Sequence, residues 1–121
     1  MEHKMKQKIE SAVSQAMVKF LKVQMGEETE TVITQVMGDI VIVKVKGILP
    51  PAERHMVRNQ QGQRLIKDLK GRLIEKAKPL LEAMIKDLTD LEVVDIQSSF
   101  DVNTDEYIEI FKLDLDKTLA G

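Results

Sequence analysis

The stretch "TETVITQVMGDIVIVKVKG", residues 29–47, decides the fold. Two β-rich runs flank Gly38-Asp39, the signature of a two-residue hairpin with a type II′ turn. A turn at that point sets the register, with Met37 opposite Ile40, Val36 opposite Val41, Thr34 opposite Val43 and Val32 opposite Val45. Val32, Thr34, Val36, Val41, Val43 and Val45 then share one face, apolar but for Thr34, and that face reads as the core side. The reverse face carries Ile33, Met37, Ile40 and Ile42 beside Lys44 and Lys46, which is more apolar than a solvated sheet face ought to be. A second layer or a second copy of the protein is expected to cover it.

Upstream of the hairpin, apolar residues from Met5 to Val23 recur at the three- and four-residue steps of one helical face, and Gly26 supplies a stop. Core packing is the plain reading of that face. Its narrower series Ile9, Val13, Ala16, Phe20, Val23 also suits a helix-to-helix seam between subunits. Downstream, "GILPPAERHMVRN" (47–59) ends the strand, because Pro50-Pro51 cannot continue a ladder yet suits the first turn of a helix, with Glu53 favourable near the positive end of the dipole. Apolar residues then keep helical spacing to Leu88. This is expected to be one long helix, weakened at Gly62 and Gly71 and kinked or split near Pro79.

Two further strand-like runs, "LEVVDIQSSF" (91–100) and "EYIEIFKLDL" (106–115), are joined by the turn-rich Asp101 to Asp105. Val94, Ile96 and Phe100 are assigned to one face of the first run, and Tyr107, Phe111 and Leu113 to one face of the second; Val93, Ile108 and Ile110 take the reverse faces. Residues 1–121 therefore read as a single α+β domain with a four-stranded, mainly antiparallel sheet, in the order helix, hairpin, long helix, hairpin.

A chain of 121 residues with 43% hydrophobic and 31% charged residues is long enough for one core without staples. Cysteine is absent, which fits a reducing cytoplasm and removes thiol catalysis, thiolate ligands and disulfides together. No apolar run approaches the ~18 residues of a membrane span, and the N-terminus is amphipathic where a signal peptide would be continuously apolar. A cytoplasmic protein is expected, one that can sit against the inner face of the membrane.

Charge is uneven: residues 1–43 are net −1, residues 44–86 net +7 and residues 87–121 net −8. An acidic segment beside a basic one of similar size favours charge complementarity within or between subunits over nucleic acid. Arg54 and Arg58, four apart and followed by Arg64, Lys67, Lys70 and Arg72, are candidates for gripping an anion or an acidic partner; a solvated basic face is the plainer reading. Cations at a helix start oppose the dipole, which suggests that the two arginines have partners.

Catalytic apparatus is not legible, so no enzyme is expected. Gly-rich phosphate motifs do not occur, and two distant histidines without cysteine make a zinc site improbable, His55 reading as a helix-end residue. "DVNTDE" (101–106) imitates a calcium loop, but Glu106 stands where glycine is needed and Lys112 where the bidentate glutamate belongs. It reads as a solvated turn. Asp101, Asp105, Glu106, Glu109, Asp114 and Asp116 are taken as a solubilising rim, and neither cofactor nor metal is expected.

The helix ending near Gly26, the hairpin "VMGDIVIVKVKGILPPAER", the helix "QQGQRLIKDLKGRL" and the closing "LEVVDIQSSFDVNTDEYIEIFKL" together resemble the MpsC family over nearly the whole chain. The most specific part is "GILPPAER", although Pro50 stands where the family usually has threonine, so a side-chain N-cap is lost. The connection after the first helix is also altered, to "MGEETE". The resemblance implies a part in a Na+-translocating system that generates membrane potential. With no spanning segment in this chain, the ion pathway would belong to other subunits. A non-catalytic accessory subunit acting by protein contact is therefore expected, as a homodimer whose interface would draw on Ile9, Val13, Phe20, Ile33, Ile40 and Ile42. The competing expectation is a module binding a small molecule or small anion, such as bicarbonate or phosphate, through Arg54, Arg58 and Arg64.

Overall fold

The computed structural model describes residues 3–26 and 28–116. Helix α1 (His3–Met25) buries Val13, Met17 and Leu21, one every four residues, and ends where Gly26 takes a φ of 66°. Two polar contacts lay it along strand β1 (Thr31–Met37). The Glu10 carboxylate accepts the Val36 N–H at 2.8 Å, and Ser14 donates to the Thr34 hydroxyl at 2.7 Å.

Strand β2 (Ile40–Lys46) pairs with β1 in the register read from the sequence, Met37 opposite Ile40 through Val32 opposite Val45. Gly38 has a φ of 59° while Asp39 does not enter the left-handed region, the type II′ pattern. The chain then forms the short α2 (Pro51–Met56) and the long α3 (Gln60–Thr89). The helical stretch does divide, but at residues 57–59 and not at Pro79, which lies inside an uninterrupted α3. The reason is local. Asn59 adopts extended backbone and its side chain caps α3 through the Gly62 N–H at 2.8 Å, so a new helix starts there. Pro79 and Glu75, one turn apart, are both exposed, so the carbonyl that proline leaves without a donor is open to water.

Gly62 also permits the corner: a Cβ at that position would lie 1.7 Å from the Met56 carbonyl oxygen. Only a glycine lets α2 and α3 approach this closely. It is therefore a packing requirement, where the sequence reading saw a weak point.

Strands β3 (Val93–Asp101) and β4 (Glu106–Leu113) form the second hairpin. The sheet order is β1-β2-β4-β3, with every neighbouring pair antiparallel. A bulge at residues 93–95 reverses one expectation. Val93 pairs with Leu113 and Asp95 with Lys112, so Val93 turns to the core while Val94 is exposed.

Both long helices pack on the same side of this sheet. Val13, Met17 and Leu21 from α1 join Ile74, Ala77, Leu81 and Ile85 from α3 in one cluster with Val36, Val41, Val43, Val45, Ile96, Tyr107, Phe111 and Leu113. The fold is thus two layers, helices on one face of the sheet and no element of this chain described on the other.

Candidate functional site

The junction after β2 is held by the second hairpin. Asp105, itself at a φ of 54°, accepts the Gly47 N–H on its carbonyl at 3.0 Å, and its carboxylate accepts the N–H groups of Ile48 and Leu49 at 3.0 and 3.2 Å. Partial burial raises the pKa of Asp105, against the lowering effect of the Leu49 and Ile48 N–H groups and Arg54. Arg54 is occupied at the same place, its Nε donating to the Leu49 carbonyl at 2.9 Å. Arg54 and His55 lie in the last turn of a six-residue helix, so Arg54 does not oppose a helix N-terminus, whereas Arg58 directly precedes the Asn59 cap of α3 and so stands at a helix start. The start-of-helix position of Arg54 depended on one continuous helix, which Asn59 interrupts.

Two residues assigned to solvent are inside. Lys70 is 1% exposed and pairs with Glu53 across the α2–α3 corner at 2.8 Å. It follows Gly62 and Ile66 at four-residue steps on the buried stripe of α3, a pattern that could have flagged it. Glu109 belongs to no rim: it is fully buried on the inner sheet face, with its carboxylate accepting from Ser98 and Tyr107 hydroxyls. Its place follows from alternation with Tyr107, Phe111 and Leu113. Burial raises its pKa, and the Ser98 and Tyr107 hydrogen bonds and nearby Lys78 offset that rise. Tyr107 is also shifted up, by burial first and then by the Glu109 charge. The "DVNTDE" turn is solvated at its tip, as expected, with Asp101 accepting the Asn103 N–H at 2.8 Å.

Arg64 is set apart from Arg54. With Lys67, Gln60 and Gln63 it lines an open groove of about 510 Å³ between the start of α3 and the β3–β4 turn, whose far wall includes Asp101 and Asn103.

One uncovered apolar feature is the outer sheet face. Pairing aligns four rows across β1, β2, β4 and β3: Thr31, Lys46, Glu106, Asp101; then Ile33, Lys44, Ile108, Ser99; then Gln35, Ile42, Ile110, Gln97; then Met37, Ile40, Lys112, Asp95. Ile33 is 62% exposed and Met37 52%. Ile40, Ile42, Ile108 and Ile110 are half-buried by their neighbours. Of the six interface candidates, Ile33, Ile40 and Ile42 lie here. Val13 is enclosed in the chain's own core, against which Ile9 and Phe20 pack. Ile108 and Ile110 complete the patch, and only the β2–β4 pairing brings them beside Ile42. A second apolar strip runs along α3, where Leu65, Leu69 and Leu80 are each about half exposed.

Part of the charge asymmetry is satisfied within the fold. Lys44 meets Glu106 at 3.2 Å and Lys86 meets Glu92 at 2.6 Å, each joining the basic middle to the acidic end. Among the described residues no helix is long and apolar enough to cross a membrane, and no group of three or more His, Asp or Glu could hold a metal.

Comparison with known proteins gives a consistent result. The family model described as "Na+-translocating membrane potential-generating system (MpsC)" matches residues 5–115. An uncharacterized protein of Bacillus subtilis (strain 168), YbcI, is 32% identical over 118 residues, covering 96% of this chain and 95% of its own. No solved structure matches significantly.

Proposed function

The chain belongs to the MpsC family, and we propose that it is a non-catalytic accessory subunit of a Na+-translocating, membrane-potential-generating system, acting through protein contacts at the inner face of the membrane. One observation carries this reading: the core is already closed, yet large aliphatic side chains stay uncovered on the outer sheet face and along α3. Contiguous exposed apolar surface beyond what a monomer needs marks protein interaction sites. The ion pathway is assigned to membrane-embedded partners, in keeping with the lack of a spanning helix among the described residues.

The test is recovery of partners from solubilised membranes of the native cell with tagged protein. Wild type should retain a reproducible set of integral membrane proteins, and Leu65→Glu/Leu69→Glu, two exposed changes on α3, should lose it while remaining folded. Equal recovery by both, or no membrane protein in either, would remove the reading.

A second reading, a small-anion module on the basic side of α3, is favoured by the groove at Arg64 and Lys67. Phosphate should then raise the melting temperature of wild type and not of Arg64→Ala, because a ligand that binds only the folded state stabilises it by mass action.

A further inference from the structure

The outer sheet face carries balanced charge, three lysines against three carboxylates. Lys44, Lys46 and Lys112 are balanced by Asp95, Asp101 and Glu106, so the face has no net charge. The signs are also separated: two of the three lysines stand on β2, and the three carboxylates stand on β4 and β3. A face that docks on anionic lipid would carry excess positive charge. Balanced and segregated charge around an aliphatic centre suits a copy of itself.

From this we infer that two chains pack outer face to outer face about a two-fold axis parallel to the strands, between β2 and β4. This deepens the protein-contact reading above by naming one partner, a second copy. The operation keeps each row in place and reverses the strand order, so β2 of one chain lies over β4 of the other and β1 over β3. Ile42 then meets the other chain's Ile110, Lys46 meets its Glu106, and Ile33 is covered by its β3. The sheets are in the aligned class of sheet-on-sheet packing. Lys44 and Lys112 lie over the other chain's Ile108 and Ile40, and Asp101 and Asp95 over its Thr31 and Met37, so no like charges are opposed. The alternative axis, perpendicular to the strands, also lays two lysines over isoleucines and pairs Glu106 with Lys112, but it sets Asp101 against Asp95. Electrostatics therefore selects the parallel axis.

The arrangement makes a reciprocal prediction that a non-specific apolar contact does not. Light scattering at low micromolar concentration should give wild type the mass of two chains. Lys46→Glu alone places glutamate against Glu106, and Glu106→Lys alone places lysine against Lys46, so each should dissociate at least roughly tenfold more readily. Mixed in equal amounts, the two variants form opposite-charge contacts at both positions and should assemble into a heterodimer, identified by mass with one chain tagged. Circular dichroism should give each variant the helix and strand content of wild type. A monomeric wild type, single variants as dimeric as wild type, or a mixture that fails to form the heterodimer would each overturn the pair. A monomeric wild type that still recovers membrane proteins would overturn it while leaving the accessory-subunit reading standing.

Discussion

The two faces of the sheet are built from the same strands and each carries large aliphatic side chains, yet they have opposite fates. Inward, Val41, Val43 and Phe111 are sealed under α1 and α3; outward, Ile42, Ile110 and Ile33 alternate with them along the same backbone and no element of this chain is described over them. The lesson is that apolar alternation says where side chains point and not which side will be covered. Coverage is decided by the helices, and both lean the same way. Glu109 makes the point in reverse, as a carboxylate on the sealed face that is retained through two hydroxyl donors.

The comparison breaks most visibly at Phe111. Phe111→Ala empties a fully buried site and should cost about 3–5 kcal/mol in urea unfolding. If the cost were below ~1 kcal/mol, the inner face would not be the core. Gly62→Ala tests the corner that holds α2 on α3, and with the new Cβ inside the Met56 carbonyl it should cost about 2–4 kcal/mol. Thermal melting would measure it, and an unchanged midpoint would show that the corner opens without penalty.

Glu109 sharpens the contrast through pH. Its pKa is raised in the folded chain, so below about 4.5 both states are protonated, and above that the folded state holds its proton longer than the unfolded one. Stability therefore falls as pH rises from about 4.5 through the folded pKa. Glu109→Gln keeps the hydrogen-bonding shape without the charge and should flatten this slope, each unit of pKa separation being worth about 1.4 kcal/mol. Asp105, shifted in the same direction, would leave a residual slope. Denaturation midpoints across pH 4–8 decide it, and identical slopes in the two proteins would refute the assignment. The smallest effect is expected outside: Ile33→Ala should alter the stability of the dissociated chain by no more than about 0.5 kcal/mol. A loss comparable to that of Phe111→Ala would mean that the outer face belongs to the core.

Much of this was legible in one dimension. Residues 29–47 carry their own register, because a type II′ turn at Gly38-Asp39 leaves one pairing for the valines. The helix begun by Pro50-Pro51 was legible as a start but not as a separate element, since the helical spacing of apolar residues runs past Met56 and masks the Asn59 cap that opens α3. The bulge at Val93 and Val94 was hidden because two adjacent valines satisfy either face. Of the surface, Ile33, Ile40 and Ile42 could be picked out singly; Ile108 and Ile110 join them only once β2 lies beside β4. Lys70 and Glu109 were misplaced by residue type, although their spacing put them with buried neighbours.

By itself the sequence determined the alternation of helical segments and hairpins, the first hairpin's register and membership of the MpsC family, because turns, periodicities and local motifs act over a few residues. Tertiary structure alone decided the strand order, which face the helices seal, and which charges go inside. Those outcomes depend on contacts between segments far apart in the chain, where packing against a distant partner outweighs the local preference of any one residue.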